Sequence, residues 1–174
     1  DPVSIIQQLE PDSSGHLSVV KVVSGETRND VADRLPFTLH FNELGKHTVY
    51  FIRKDGLPHG IVHARSEKGD WGMVEVAWYL DLELRVLDFK FQRCRDRASK
   101  DVASDDFMDQ VKGKGFDELR AMMNEEGTEL SEQVHSLPKG SRNLALTTLR
   151  SALKTIIVTD LIWADDIRKV REEA

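Results

Sequence analysis

Gln92-Arg93-Cys94-Arg95, followed closely by Arg97, packs three guanidinium groups, an amide and a thiol into one short stretch. Guanidinium forks match phosphate oxygens two at a time, so Arg93, Arg95 and Arg97 could clamp a phosphate. A solvated basic turn, offset by Asp96 and Asp101, would read the same way. Cys94 sits between two arginines, which would stabilise its thiolate if it is exposed; a small packed residue is the plainer expectation. Trp71, beside Gly69 and Gly72, offers a flat apolar face for a planar ring or for a neighbouring strand. Ser141 and Arg142 stand where a long helix should begin, and free N–H groups there can hold an anion, as at any helix start. Glu67 and Glu75 flank the Trp71 turn and could act as acid or base, although surface carboxylates near turns usually serve solvation.

Other chemistries find little footing. A single cysteine excludes an internal disulfide framework and multi-cysteine zinc or iron–sulfur sites. The histidines lack ligand spacing: His59 and His63 are four apart, but in a strand that offset does not bring two imidazoles onto one metal. No Ser/His/Asp arrangement and no Gly-rich phosphate loop is evident. The net charge of −6 argues against a nucleic-acid binder that works by neutralising phosphates. No apolar run is long enough to span a membrane. The chain opens Asp1-Pro2 without Met, which is compatible with a leader or anchor having been removed.

These residues need a scaffold, and the pattern predicts an α+β domain covering residues 1–174: a curved antiparallel meander of about five to seven strands flanked by C-terminal helices. Strands are expected at His16–Val23, Thr48–Arg53, Gly60–Arg65, Met73–Leu80 and Leu84–Phe91, with Asp55-Gly56 as a hairpin turn. Period-2 alternation puts Val74, Val76, Trp78 and Leu80 on one face and Glu75 and Tyr79 on the other. In the last strand it puts Leu87, Phe89 and Phe91 together with Arg85. Helices are expected at Ser4–Glu10, Asp105–Lys112, Phe116–Asn124, Thr128–His135, Arg142–Trp163 (N-capped by Ser141) and Asp165–Glu173. Gly25–Leu35 reads as a loop or weak helix. The longest helix carries an apolar face of Leu146, Leu149, Leu153, Ile156, Ile157 and Leu161. Thr148, Ser151, Thr155 and Thr159 form an adjacent stripe, read as a semi-polar flank.

The order strand, Asp-Gly turn, strand, turn, strand, turn, strand, polar loop, then Phe107-Met108-Asp109-Gln110-Val111-Lys112-Gly113-Lys114 resembles the FMN-binding domain family. That family includes the extracytoplasmic flavoprotein subunits of sodium-pumping quinone reductases and Rnf-type electron-transport complexes. The matching stretch runs from Gly45 to Lys114, with an echo in the helix after Gly140. In the family, the loop after the last meander strand carries a Glu-Thr-Pro-Gly-type signature beside the flavin, and a later Ser-Gly-Ala-Thr-type motif supplies a Thr esterified to the FMN phosphate. Here those places hold Gln92-Arg93-Cys94-Arg95 and Leu144-Ala145-Leu146-Thr147. The resemblance therefore implies FMN held noncovalently, with Trp71, Gln92, Arg93, Cys94, Arg95, Ser141, Arg142 and Thr147 as binding residues. It also implies an electron-transfer role, a redox partner protein or membrane electron-transport complex, and a periplasmic location. The alternative is a cofactor-free binding or interaction module on the same scaffold, which the two missing signatures favour.

Overall fold

The structure is a computed structural model and describes residues 2–174; Asp1 lies outside the described residues. Five strands form one open antiparallel sheet in the order of the chain: β1 (Ser13–Val23), β2 (Gly45–Lys54), β3 (Leu57–Gly69), β4 (Gly72–Asp81) and β5 (Val86–Arg93). The expected α+β meander is present. Asp55 and Gly56 both have positive φ, 53° and 76°, the backbone a tight primed hairpin turn requires. Helix α1 (Pro2–Leu9) precedes the sheet and α2 (Gly25–Arg34) joins β1 to β2. After β5 come α3 (Ser99–Val102), α4 (Asp105–Val111), α5 (Phe116–Arg120), α6 (Arg142–Ile162) and α7 (Ala164–Glu173).

Each face of the sheet has its own cover. On one, Ile61, Val74, Val76, Trp78, Leu80 and Phe89 pack in one core with Leu149, Leu153 and Ile157 of α6. On the other, Ile5, Ile6 and Leu9 of α1 cover Ile52, Val62, Ala77 and Tyr79. Burying a large aliphatic side chain contributes roughly 1.5–3 kcal/mol, so the α6 face carries most of the stability. Trp163, at the corner between α6 and α7, is fully buried and donates from Nε1 to the Val19 carbonyl at 3.1 Å. Among the described residues no helix is long and apolar enough to cross a membrane.

Four expectations give way. Residues 128–135 form turns and a single bridge, Met123 to Leu130, rather than a helix, because the segment instead closes on the Asn124 side chain and the Met122 carbonyl. The helix starting at Phe116 ends at Arg120, whose guanidinium caps the Asn124 and Glu125 carbonyls of the following turn. Leu87 does not share a face with Phe89: a register shift where Leu80 pairs with Val86 turns Val86 into the α6 core and Leu87 toward α1. Finally, Ser141 stands at the N-cap position of α6 without capping it; its hydroxyl donates to Asp101 Oδ2 at 2.9 Å.

Gly60 marks the tightest approach in the sheet. A Cβ there would lie 2.5 Å from the Tyr79 ring and 2.7 Å from the Leu80 carbonyl oxygen. Because one of those neighbours is backbone, Gly60→Ala is expected to cost about 1–3 kcal/mol as overpacking. Chemical denaturation would read this as a lower midpoint at unchanged slope; an unaltered midpoint would contradict it.

Candidate functional site

The sheet is split at one end. Pairing between β2 and β3 stops at Val49 and His63, yet β2 stays paired with β1 down to Gly45 and β3 stays paired with β4 up to Gly69. A single 3-10 turn, Phe41–Glu43, feeds Glu43 into this fork. Glu43 Oε1 accepts from Arg65 Nη2 at 2.9 Å, and its Oε2 accepts from Lys154 Nζ at 3.2 Å and from the His40 amide at 2.6 Å. Lys154 also pairs with Glu67 at 2.8 Å. All four charged side chains are almost wholly buried, Lys154 to within 1%. Two acids and two bases make the group formally neutral, and buried charges persist only in such pairing.

Polar contacts continue along α6. His63 Nδ1 lies 2.9 Å from Thr159 Oγ1, which itself donates to the Thr155 carbonyl. That assigns the proton to His63 Nδ1 and leaves Nε2 as a buried acceptor without a partner among the described residues. Burial, reinforced by Arg65 and His47, holds the His63 imidazole well below its ordinary pKa. Burial also lowers His47, though the Glu43 carbonyl 2.8 Å from Nε2 opposes this. Ser151 accepts from Trp78 Nε1 at 2.9 Å. The Thr/Ser stripe of α6 is therefore a buried polar seam against the sheet, rather than a flank beside it.

Beside the fork, the β3–β4 hairpin tip borders a groove of about 660 Å³ walled by Phe41, Lys68, Gly69 and Met73. Phe41 is 76% exposed, and Trp71, at the tip between Asp70 and Gly72, is 67% exposed. The tip leans on α6: Asn143 Nδ2 donates to Asp70 Oδ2 at 3.2 Å, and a Cβ on Gly69 would come within 3.8 Å of Thr147.

The anticipated site residues divide among three places. Trp71 stands exposed at the hairpin tip, and Thr147 lies beside Gly69 of the same hairpin, its hydroxyl donating to the Asn143 carbonyl of its own helix at 3.1 Å. Gln92 and Cys94 line a separate cleft of about 550 Å³ between β5 and α3–α4, in the company of Lys90, Lys100 and Lys112. Burial pushes the Cys94 thiol up, against the pull of a backbone bond from Asp96, so the flanking arginines do not produce a low-pKa thiol. Arg142 faces a third hollow, with Lys139 and Glu129, near the start of α6. Arg93 and Arg95 are exposed, and Arg93 registers opposite Glu75. Ser141, through Asp101, ties the segment after the arginine loop to the start of α6.

The buried charge network escaped sequence reasoning. Strand alternation places Ile61, His63, Arg65 and Glu67 on one face, a pattern that reads as half solvated. One signal was available: Lys154 is the only charge between Arg150 and Asp160 on a helix otherwise apolar or hydroxylic there. Comparison with family models, curated proteins and solved structures finds no match.

Proposed function

We propose that this protein is a noncovalent FMN-binding domain with an electron-transfer role, and that the flavin occupies the groove at the β3–β4 hairpin tip. The observation that carries this reading is the seating of the β3–β4 hairpin tip on α6, with Gly69 beside Thr147 and Asp70 accepting from Asn143, next to a groove whose size lies in the range of about 300–1,000 Å³ that small-molecule sites occupy. The residues suit the ring: Phe41 and Met73 give an apolar wall, Gly69 lets backbone approach closely, and Trp71, exposed at the tip of the same hairpin though outside the groove's lining, would stack on the ring by turning toward it. Lys68 and His40 line the same groove and would face the phosphate. Arg93 and Arg95 do not line it, so the phosphate clamp read from the arginine loop is not part of this arrangement. FMN, when bound, would supply the one- and two-electron chemistry, while the protein orients the ring and sets its electrostatic surroundings. The Thr147 hydroxyl, already spent on its own helix, fits a ligand held without an ester bond. An extracytoplasmic redox protein or membrane electron-transport complex would then be the natural partner.

Titrating the protein with FMN should quench flavin fluorescence with a midpoint in the micromolar range, and Trp71→Ala should weaken binding at least tenfold, an energy of about 1.4 kcal/mol. No quenching at tens of micromolar FMN would remove the proposal. It would leave the second reading, a cofactor-free interaction module, which one observation favours. Edge strand β1 exposes Leu17, Val20 and Val22, and an uncovered apolar edge is a template for strand addition by a second copy of the chain. A concentration-dependent dimer by sedimentation would then be expected, abolished by Val20→Lys.

A further inference from the structure

Residues 88–92 of β5 line the cleft of about 550 Å³ one after another, and α3 and α4 supply its other wall through Lys100, Ala103, Asp105, Met108 and Lys112. Phe89 and Phe91 belong to the core under α6, whereas Lys90 between them is exposed. Side chains of both faces border one cleft where that cleft follows the open edge of a strand, here for roughly 16 Å at about 3.3 Å per residue. β5 ends the sheet, with β4 as its only strand neighbour among the described residues. Its outer edge is closed at Val86, which donates to the Lys114 carbonyl at 3.0 Å and accepts from the Gly113 amide at 2.7 Å. Past that point residues 88–92 make no backbone hydrogen bond to the facing helices among the described residues. Such an edge presents a row of N–H and C=O groups ready to pair with another strand.

Charge says what kind of strand would fit. Lys90, Lys100 and Lys112 are exposed and form no ion pair among the described residues. The lining holds two acids: Asp88 is engaged, accepting from the Phe89 amide at 2.8 Å, and Asp105 lies in the first turn of α4. Arg93 and Arg95, both exposed, extend the basic surface past the end of the strand, on a chain whose net charge is −6. Half-buried Phe91 and buried Met108 give the cleft an apolar floor between these cations. We infer that this cleft docks an extended acidic segment of a partner protein, which adds to β5 as a sixth strand. Its backbone pairs with residues 88–92, its carboxylates meet Lys90, Lys100 and Lys112, and apolar side chains alternating with them rest on Phe91 and Met108. In strand addition the main-chain bonds supply affinity and the alternate side chains supply specificity. The cleft shares no lining residue with the hairpin-tip groove, so the site is independent of the flavin reading.

The test is fluorescence anisotropy of a labelled heptapeptide of alternating glutamate and valine, titrated with the whole protein at low salt. It should bind with a midpoint below about 100 micromolar. The same peptide with lysine in place of glutamate, and a decathymidine oligonucleotide as a polyanion without a peptide backbone, should each bind at least tenfold more weakly. Only alternate amides of an added strand face its neighbour, so N-methylation of the glutamate amides and of the valine amides should differ in effect at least tenfold. Bound peptide should slow amide exchange within residues 88–92 and leave residues 16–22 of the other edge strand, β1, unchanged. The double variant Lys90→Glu, Lys112→Glu changes only exposed side chains and should weaken binding at least tenfold. Excess FMN should not displace the peptide. Absence of binding, equal binding by the lysine peptide or by decathymidine, equal affinity of the two methylated forms, protection on β1 in place of β5, an unaltered affinity in the double variant, or displacement by FMN would each overturn the inference.

Discussion

Replacing Lys154 by Met is expected to remove about 3–5 kcal/mol of stability, the usual cost of deleting one partner of a buried ion pair. Among the described residues Lys154 is the only counter-charge within 3 Å of Glu67 and the second charged donor to Glu43, and all three are almost wholly buried. Met matches the stem of lysine well, so little of the loss comes from packing. A typical domain is stable by only about 5–15 kcal/mol, and the variant should therefore be visibly compromised. Two measurements bear on the cause. Adding Glu67→Leu to Lys154→Met should recover much of the loss, since a buried pair replaced by apolar residues is often neutral or better. If Lys154→Met costs under 1 kcal/mol by urea denaturation at pH 7, the network is not dry and the reading of the fork is wrong.

Lowering the pH from 7 to 5 should weaken the fold, with His63 as the main contributor. In the unfolded chain an imidazole takes a proton near pH 6.5. In the folded chain His63 stays neutral, because burial and the Arg65 and His47 charges oppose its protonation. Below pH 6.5 the unfolded state therefore binds more protons, and linkage makes stability fall as pH falls until the folded pKa is reached. Each unit separating the two values is worth about 1.4 kcal/mol. His47 acts with the same sign, its depression partly offset by the Glu43 carbonyl. His63→Phe should be less stable at pH 7, having lost the Thr159 bond, and should show a flatter pH profile between 7 and 5. An identical slope in variant and parent would locate the acid sensitivity elsewhere.

The meander was legible because its signals are local. The Asp55-Gly56 turn, the alternation from Val74 to Leu80 and the uninterrupted helical run after Arg142 each need only a few neighbouring residues to be read. The last strand was misread by one face because the bulge near Leu80 depends on how β4 and β5 meet, and no local pattern encodes that. The segment 128–135 looked helical on composition, yet its polar groups found partners in Asn124 and Met122. Of the anticipated site residues, Thr147 lies beside Gly69 of the hairpin that carries Trp71, Gln92 and Cys94 share another cleft, and Arg93 and Arg95 remain in solvent.

The sequence by itself determined the class of the domain, the order of its strands and the identity of its central buried helix, since hydrophobic periodicity and turn chemistry act over short range. Only the tertiary structure decided where the charges go. Glu43 on a turn, Arg65 and Glu67 on one strand, and Lys154, 87 residues beyond Glu67, are ordinary surface residues in sequence. They become a sealed network because the sheet forks and α6 closes over it, and ion pairing out of water depends on distance in space.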